Sequence, residues 1–245
     1  RGDYHWFAGD GMIHAFHLDN GRVAYKNRWV RTTKWELEHA AGRGLFSGMN
    51  PLDTDPSVQG LPTNGLANTN IVWHGGKLLA LEEAHAPFEL DPTSLESKGP
   101  WTFGNTLVGP MTAHPKMDPE TGEMIFFGYS VDGMLSNKMS YHVVNRHGEL
   151  TTSAFFDAPY GAMVHDFIVT RDFVLFPIMP LTASLDRAMQ GKPPFAWEPD
   201  KQNMIGIMPR SGSVEDIRWF EGDPSYVFHP MNAFNVGNKI TCDVS

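Results

Sequence analysis

Apolar and polar residues alternate along most of this chain in short runs closed by turn residues, the period of strands and not of helices. GMIHAFHL passes through DNGR into VAYKNRWVRT, and Asn20-Gly21 suits the positive φ of a tight hairpin turn. TNIVWH and KLLALEE flank a Gly75-Gly76 reversal, and EMIFFGYS follows DPETG. KMSYHVVN is joined by RHG to ELTTSAFFD, and MVHDFIVT turns through Arg171-Asp172 into FVLFPIM. NMIGIMP and VEDIRWFE flank RSGS, and YVFHPMNAFNV comes next. Only LTASLDRAMQG, residues 181–191, has the spacing of a short helix, within an insertion that also holds KPPFAWEPD. Many short strands with frequent turns predict an all-β sandwich, barrel or propeller. No strict repeat is visible. Propeller blades take about 40 to 45 residues, which would divide this chain into about five.

Composition narrows the function more than the fold. At 245 residues the chain suits one propeller-type domain over 1–245, with residues before about 60 and around 180–202 as excursions from the strand array. A net charge of −9 argues against electrostatic binding of nucleic acid. No apolar run reaches the roughly 18 residues of a membrane helix. The single cysteine, Cys242, excludes an intrachain disulfide framework and a cysteine-rich metal site, and fits a reducing, cytoplasmic setting. The chain opens at RGDYHWFAGDGM, without an initiator Met, and ends within the strand-like KITCDVS, so a piece of a longer protein is expected.

Eleven histidines are present, and no pair has the i, i+4 spacing of a helical metal motif. A metal site would need ligands from strands distant in sequence. His114 in TAHP, His165 in VHDF and His229 in VFHPMNA each stand at the end of an apolar strand. A histidine met alone is more often a packed core residue than a ligand. The separations of 51 and 64 residues, however, each match about one blade plus a loop, and in a propeller the inner strand ends converge on one axis. His142 and His147 flank a hairpin turn and are expected in solvent, as is His39 in ELEHAAGRG.

TAHPKMDPETGE, VHDFIVT and FHPMNAF, in that order, resemble three of the four histidine motifs of the carotenoid cleavage oxygenases, the family that includes the lignostilbene dioxygenases. ANTNIVWHGGKLLALEEAHAPFELDPTSLESKG resembles the segment before the first of these motifs, and GDGMIHAFHLDNGRVAYKNRWVRT the N-terminal strand pair. The resemblance runs through essentially the whole chain. It implies a seven-bladed β-propeller holding a non-haem Fe(II) by four histidines, and His114, His165 and His229 match the first three. The fourth is implied to lie beyond Ser245. Imidazole also suits Zn, Cu and Ni, so iron follows from the resemblance and not from ligand type.

The resemblance also assigns Glu83 in LLALEEAHAP to orient a ligand histidine, and places Thr69 in ANTN beside the metal. Glu82 and Glu83 are expected on opposite faces of one strand. An exposed charge for Glu83 and a turn-bonded hydroxyl for Thr69 are the plain alternatives. Asp166 is expected to face away from the metal in a structural role, and Phe103, Phe167 and Phe228 either line an apolar tunnel or pack in the core. The implied activity is O₂-dependent cleavage of a C=C bond in a small apolar alkene to two carbonyl products. The lignostilbene branch grips a hydroxylated ring through a Lys and a Tyr; their counterparts here are Glu82 and, in LFSGMNPLDTDP, Met49, which leaves stilbene-like and apocarotenoid substrates both open. The rival readings are a metal-free β-propeller scaffold or binding protein and a propeller hydrolase of the lactonase kind, which would want acidic metal ligands.

Overall fold

The computed structural model describes residues 6–47 and 54–244, so Met49 lies outside the described residues. Three antiparallel four-stranded sheets form its body. Blade A is β3 (Asn70–His74), β4 (Lys77–Leu81), β5 (Phe88–Leu90) and β6 (Ser97–Pro100). Blade B is β7 (Lys116–Met117), β8 (Met124–Tyr129), β9 (Lys138–Val144) and β10 (Leu150–Asp157). Blade C is β11 (Ile168–Val169), β12 (Phe173–Ile178), β15 (Asn203–Pro209) and β16 (Arg218–Gly222). Blade C is interrupted by a pair, β13 (Leu181–Ala183) and β14 (Phe195–Trp197), carrying α2 (Leu185–Met189). Two hairpins flank the blades: β1 (Met12–Asp19) with β2 (Arg22–Trp29), and β17 (Pro230–Val236) with β18 (Lys239–Val244). Three complete blades and two flanking pairs thus replace the five expected from length, because loops and the blade C insertion take up residues that a bare period assigns to strands.

Blades stack face to face through apolar clusters. Leu79 and Leu81 of blade A pack with Phe126, Met124 and Val144 of blade B. On the other face of blade B, Ile125, Phe127 and Tyr141 pack with Phe167, Phe176 and Met208 of blade C. Adjacent residues of β8 therefore face different blades, the period-2 rule with both sides buried.

His142 follows from that layout and corrects the solvated position expected for it. It lies in β9, paired in register with Phe126, and is 0% exposed, with its ring stacked on Phe126 at 4.7 Å. β9 is an inner strand between β8 and β10, so a residue on its blade A face has no route to water. Burial pushes the His142 pKa down to about 4.

The turns differ sharply between the two ends of the blades. At one end, β3–β4, β7–β8, β9–β10 and β11–β12 are joined tightly. At the other, long connections run, among them 101–115, 158–167 and 223–229. Two tight turns share a hidden pattern, DPTSLE (91–96) and DPETGE (118–123). In each, the Asp carboxylate accepts two backbone N–H groups, from Thr93 and Ser94 or from Glu120 and Thr121. The fifth residue of each takes positive φ, +62° at Leu95 and +74° at Gly122. The Leu costs strain that the Gly does not.

Helix α1 (Thr33–Ala41) was not expected from the sequence, and the helix expected over 181–191 shrinks to Leu185–Met189 behind a short strand. α1 has little apolar periodicity. Its support is local: Thr32 caps the Trp35 N–H, Gly42 closes the end at φ 63°, and Trp35 stacks on His39 at 4.5 Å. Buried Lys34 bonds Asp10 and Glu38, each at 2.8 Å.

Candidate metal centre

β7, β11 and β17, the first strands of their sheets in chain order, each begin at the long-loop end, and a histidine immediately precedes or closely leads each of them. His114 stands two residues before β7, His165 three before β11, and His229 one before β17. Their rings meet. His114 Nε2 lies 2.9 Å from His165 Nε2, which lies 3.1 Å from His229 Nε2. Ring centroids are separated by 4.6, 4.9 and 4.8 Å, with the planes steeply inclined to one another. The three ligand atoms all fall within 4.8 Å of one another, and they form the one such cluster among the described residues.

The orientation of His165 is decided by Glu83. Its Oε2 lies 2.5 Å from His165 Nδ1, so Nδ1 carries the proton and the Nε2 lone pair faces the other rings. Tyr129 donates to the second carboxylate oxygen at 2.8 Å. Burial, reinforced by the Glu83 charge, drives the Tyr129 pKa well above its ordinary value, so the phenol stays a donor. Burial likewise pushes His114 down to about 4; the Asp166 charge opposes this, while the neighbouring imidazoles and Lys116 add to it. His114 is thus a neutral donor at ordinary pH.

Glu82 and Glu83 diverge as expected, for a different reason. β4 ends at Leu81, so both follow a bend in the chain and not strand alternation. Glu82 pairs with His85, whose other ring nitrogen bonds Thr63 Oγ1 at 2.7 Å. Asp166 binds Lys116 Nζ at 2.7 Å, a structural engagement of the kind expected for it. Thr69 is exposed, and its hydroxyl donates to Asn68 Oδ1 at 3.0 Å. The next residue, Asn70, holds the Ala113 carbonyl at 2.9 Å, which keeps this segment beside the approach to His114. Phe103 and Phe167 are core residues, 6% and 0% exposed. Phe228 alone of the three reaches the cluster, edge-on to His165 at 5.6 Å. Sequence reasoning missed Tyr129 and the partner of Asp166, because each pairing spans dozens of residues with no local signal.

Three imidazole Nε2 atoms pointed at one space present lone pairs to a cation between them wherever those nitrogens carry no proton. Nitrogens about 2.1 Å from one metal at roughly a right angle stand about 3 Å apart, close to the 2.9 and 3.1 Å of the His114–His165 and His165–His229 pairs, so both pairs have the spacing of ligands to one divalent metal. A cleft of about 790 Å³ is lined by Pro115, Lys116, Phe167 and Pro230, which follow the histidines along the chain. It therefore runs beyond the cluster and not over the Nε2 atoms.

Residues 1–245 match the family described as retinal pigment epithelial membrane protein, RPE65. The chain belongs to that family. It is 45% identical over 245 residues to an isoeugenol monooxygenase of Pseudomonas putida, a match covering 98% of this chain and 51% of that protein. The fold superposes on a lignostilbene dioxygenase of Pseudomonas brassicacearum with a TM-score of 0.93 at 37% identity, covering 99% of this chain and 51% of the other. A cobalt-substituted apocarotenoid oxygenase of Synechocystis gives a TM-score of 0.81 at 30% identity, covering 98% and 53%. The sheets described above are thus part of a carotenoid oxygenase β-propeller, and the chain spans about half the length of these family relatives. No helix among the described residues is long and apolar enough to cross a membrane.

Proposed function

We propose that the protein carrying this chain is a non-haem Fe(II) dioxygenase that cleaves a C=C bond of a small apolar alkene with O₂. The observation that carries the reading is the convergence of His114, His165 and His229 Nε2 atoms, with Glu83 fixing the tautomer of His165. His114, His165 and His229 would hold the metal, Glu83 would orient its ligand, and Thr69 would border the approach. Iron held there supplies the capacity to activate O₂. The overall reaction needs no external reductant: the C=C and O=O bonds break and two C=O bonds form.

The chain's own part is positional. Burial keeps His114 neutral, Glu83 and Tyr129 hold the His165 ring, and Phe228 gives the cluster an apolar edge. Identity of 45% to a relative named for isoeugenol, against 38% to relatives named lignostilbene dioxygenase and carotenoid cleavage oxygenase, favours an arylalkene substrate. A reducing, cytoplasmic setting suits the lone Cys242. The metal-free scaffold reading would hold the three rings by Nε2–H···Nε2 hydrogen bonds at 2.9 and 3.1 Å, and stoichiometric metal analysis separates it from the ligand set. The lactonase reading wants carboxylate ligands, whereas Glu83 and Asp166 are engaged with His165 and Lys116.

The test is the full-length protein loaded with Fe(II) and given isoeugenol, a hydroxystilbene and an apocarotenoid under ¹⁸O₂. Label in both carbonyl products supports the dioxygenase. Label in one product, with solvent oxygen in the other, would point to the monooxygenase outcome that the name of the Pseudomonas putida relative carries.

A further inference from the structure

The three imidazoles come from three strands in separate sheets, so their spacing depends on how those sheets are held against each other. Between the first two ligands the hold is polar and lies within two residues of both. Lys116 follows His114 by two positions and donates to Asp166 Oδ1 at 2.7 Å, and Asp166 directly follows His165. The Asp166 side chain is 4% exposed, and the same oxygen accepts the Phe167 N–H at 2.7 Å. On the other side of the ligands, the Thr112 hydroxyl accepts the His114 N–H at 3.0 Å and reaches the His165 carbonyl at 3.5 Å. Thr112 is 2% exposed. His114 and His165 are therefore bracketed before and after by links between blades B and C.

We propose that the Lys116–Asp166 ion pair, assisted by Thr112, fixes the separation of His114 and His165, and that these three are positioning residues of the metal site. The proposal rests on the reading of the histidines as metal ligands. The apolar contacts between the blades are non-directional and by themselves set no particular distance between the two ligands. A charge-assisted hydrogen bond has a short, directed optimum. Metal–ligand distances tolerate only about ±0.2 Å. Slippage of that size between β7 and β11 moves one imidazole relative to the other, so the directed link has the larger influence on the metal.

The experiment uses the full-length protein, Asp166→Asn, Lys116→Met, Lys116→Arg and the neutral pair Lys116→Met/Asp166→Asn. Readouts are Co(II) and Fe(II) affinity by chelator competition, the visible absorption of the Co(II) form, and the melting temperature without metal. Asp166→Asn and Lys116→Met are expected to weaken metal binding about 10- to 100-fold and to change the Co(II) spectrum. Lys116→Arg, which retains the link, is expected to restore both. The neutral pair leaves no unpaired buried charge and serves where a single variant fails to fold; it is expected to bind metal as weakly as the singles. Metal affinity within twofold of the parent with an unchanged Co(II) spectrum, whatever the melting temperature, overturns the spacer role. A parent that binds no metal instead rejects the metal-centre reading beneath it.

Discussion

His114 and His165 stand on complete, packed blades, whereas His229 stands on a two-stranded hairpin. The first two are half-buried, and each is braced: His165 by Glu83, His114 by Thr112 at its backbone N–H. Within the half of the family fold that this chain spans, His229 is exposed, and its hairpin carries Met231 at 74% and Val236 at 73% exposure. One link reaching that hairpin from blade C is polar and peripheral, Asn235 to Asp172 at 2.6 Å. The difference teaches that the site has a preorganised pair and a third donor whose placement is less determined by the packing of blades A to C. Four expected outcomes break or sharpen this contrast.

The largest effect comes from removing a ligand. His114→Ala, His165→Ala and His229→Ala in the full-length protein are each expected to abolish stoichiometric iron and alkene cleavage, read by elemental analysis and aldehyde formation. A variant that keeps stoichiometric iron and full turnover would remove that residue from the site.

Acid acts next, through the core that braces the pair. His142 is buried between blades A and B, with both ring nitrogens lacking protein partners. Its folded pKa of about 4 lies below the 6.5 of the open chain, so between those values the unfolded state binds more protons. Stability is therefore full above pH 6.5 and falls as pH drops towards 4, by roughly 3 kcal/mol for this group. Urea midpoints at pH 7 and pH 4.5 measure it. His142→Leu is expected to flatten much of the difference; an unchanged slope would assign the acid sensitivity to other groups.

His142 also shows where the sequence was readable. Strand positions were legible because period-2 runs ended in Asn-Gly, Gly-Gly and Asp-Pro turns, each with a backbone demand of its own. The convergence of His114, His165 and His229 was legible because strand-end placement and family motifs agreed. His142 was misread because its strand continues past it to Val144, and the burial of a strand's face depends on which blade lies against it. α1 escaped notice because caps and one buried lysine, not an apolar stripe, support it. Lys116–Asp166 and Tyr129–Glu83 are long-range pairs, and no local pattern announces them.

Glu83 sharpens the contrast from inside the preorganised pair. Glu83→Gln keeps the shape but weakens the hold on the His165 Nδ1–H, and is expected to cost about 10- to 100-fold in metal affinity. Glu82→Gln touches the His85–Thr63 contact and is expected to cost much less in metal binding. Chelator competition compares the two directly. Equal losses would mean that Glu83 acts through the fold of this bend and not through His165.

The smallest effect belongs to the hairpin. Asn235 donates to Asp172 Oδ2 at 2.6 Å and faces the Asp172 N–H at 3.4 Å, so Asn235→Ala removes one good hydrogen bond and one long one. Both residues are at the surface, where water replaces what is lost, and the expected cost in stability is about 0.5 to 1.5 kcal/mol. The consequence for the metal should be smaller than that of Glu83→Gln, because His229 is six residues away on the same strand pair and the tie does not touch its ring. A loss below about threefold in iron affinity is expected, with His114 and His165 unaffected. If Asn235→Ala instead matched Glu83→Gln, the hairpin's attachment to blade C would be setting the position of the third imidazole. The site would then be braced at all three ligands, and the contrast between two held donors and one loose one would fail.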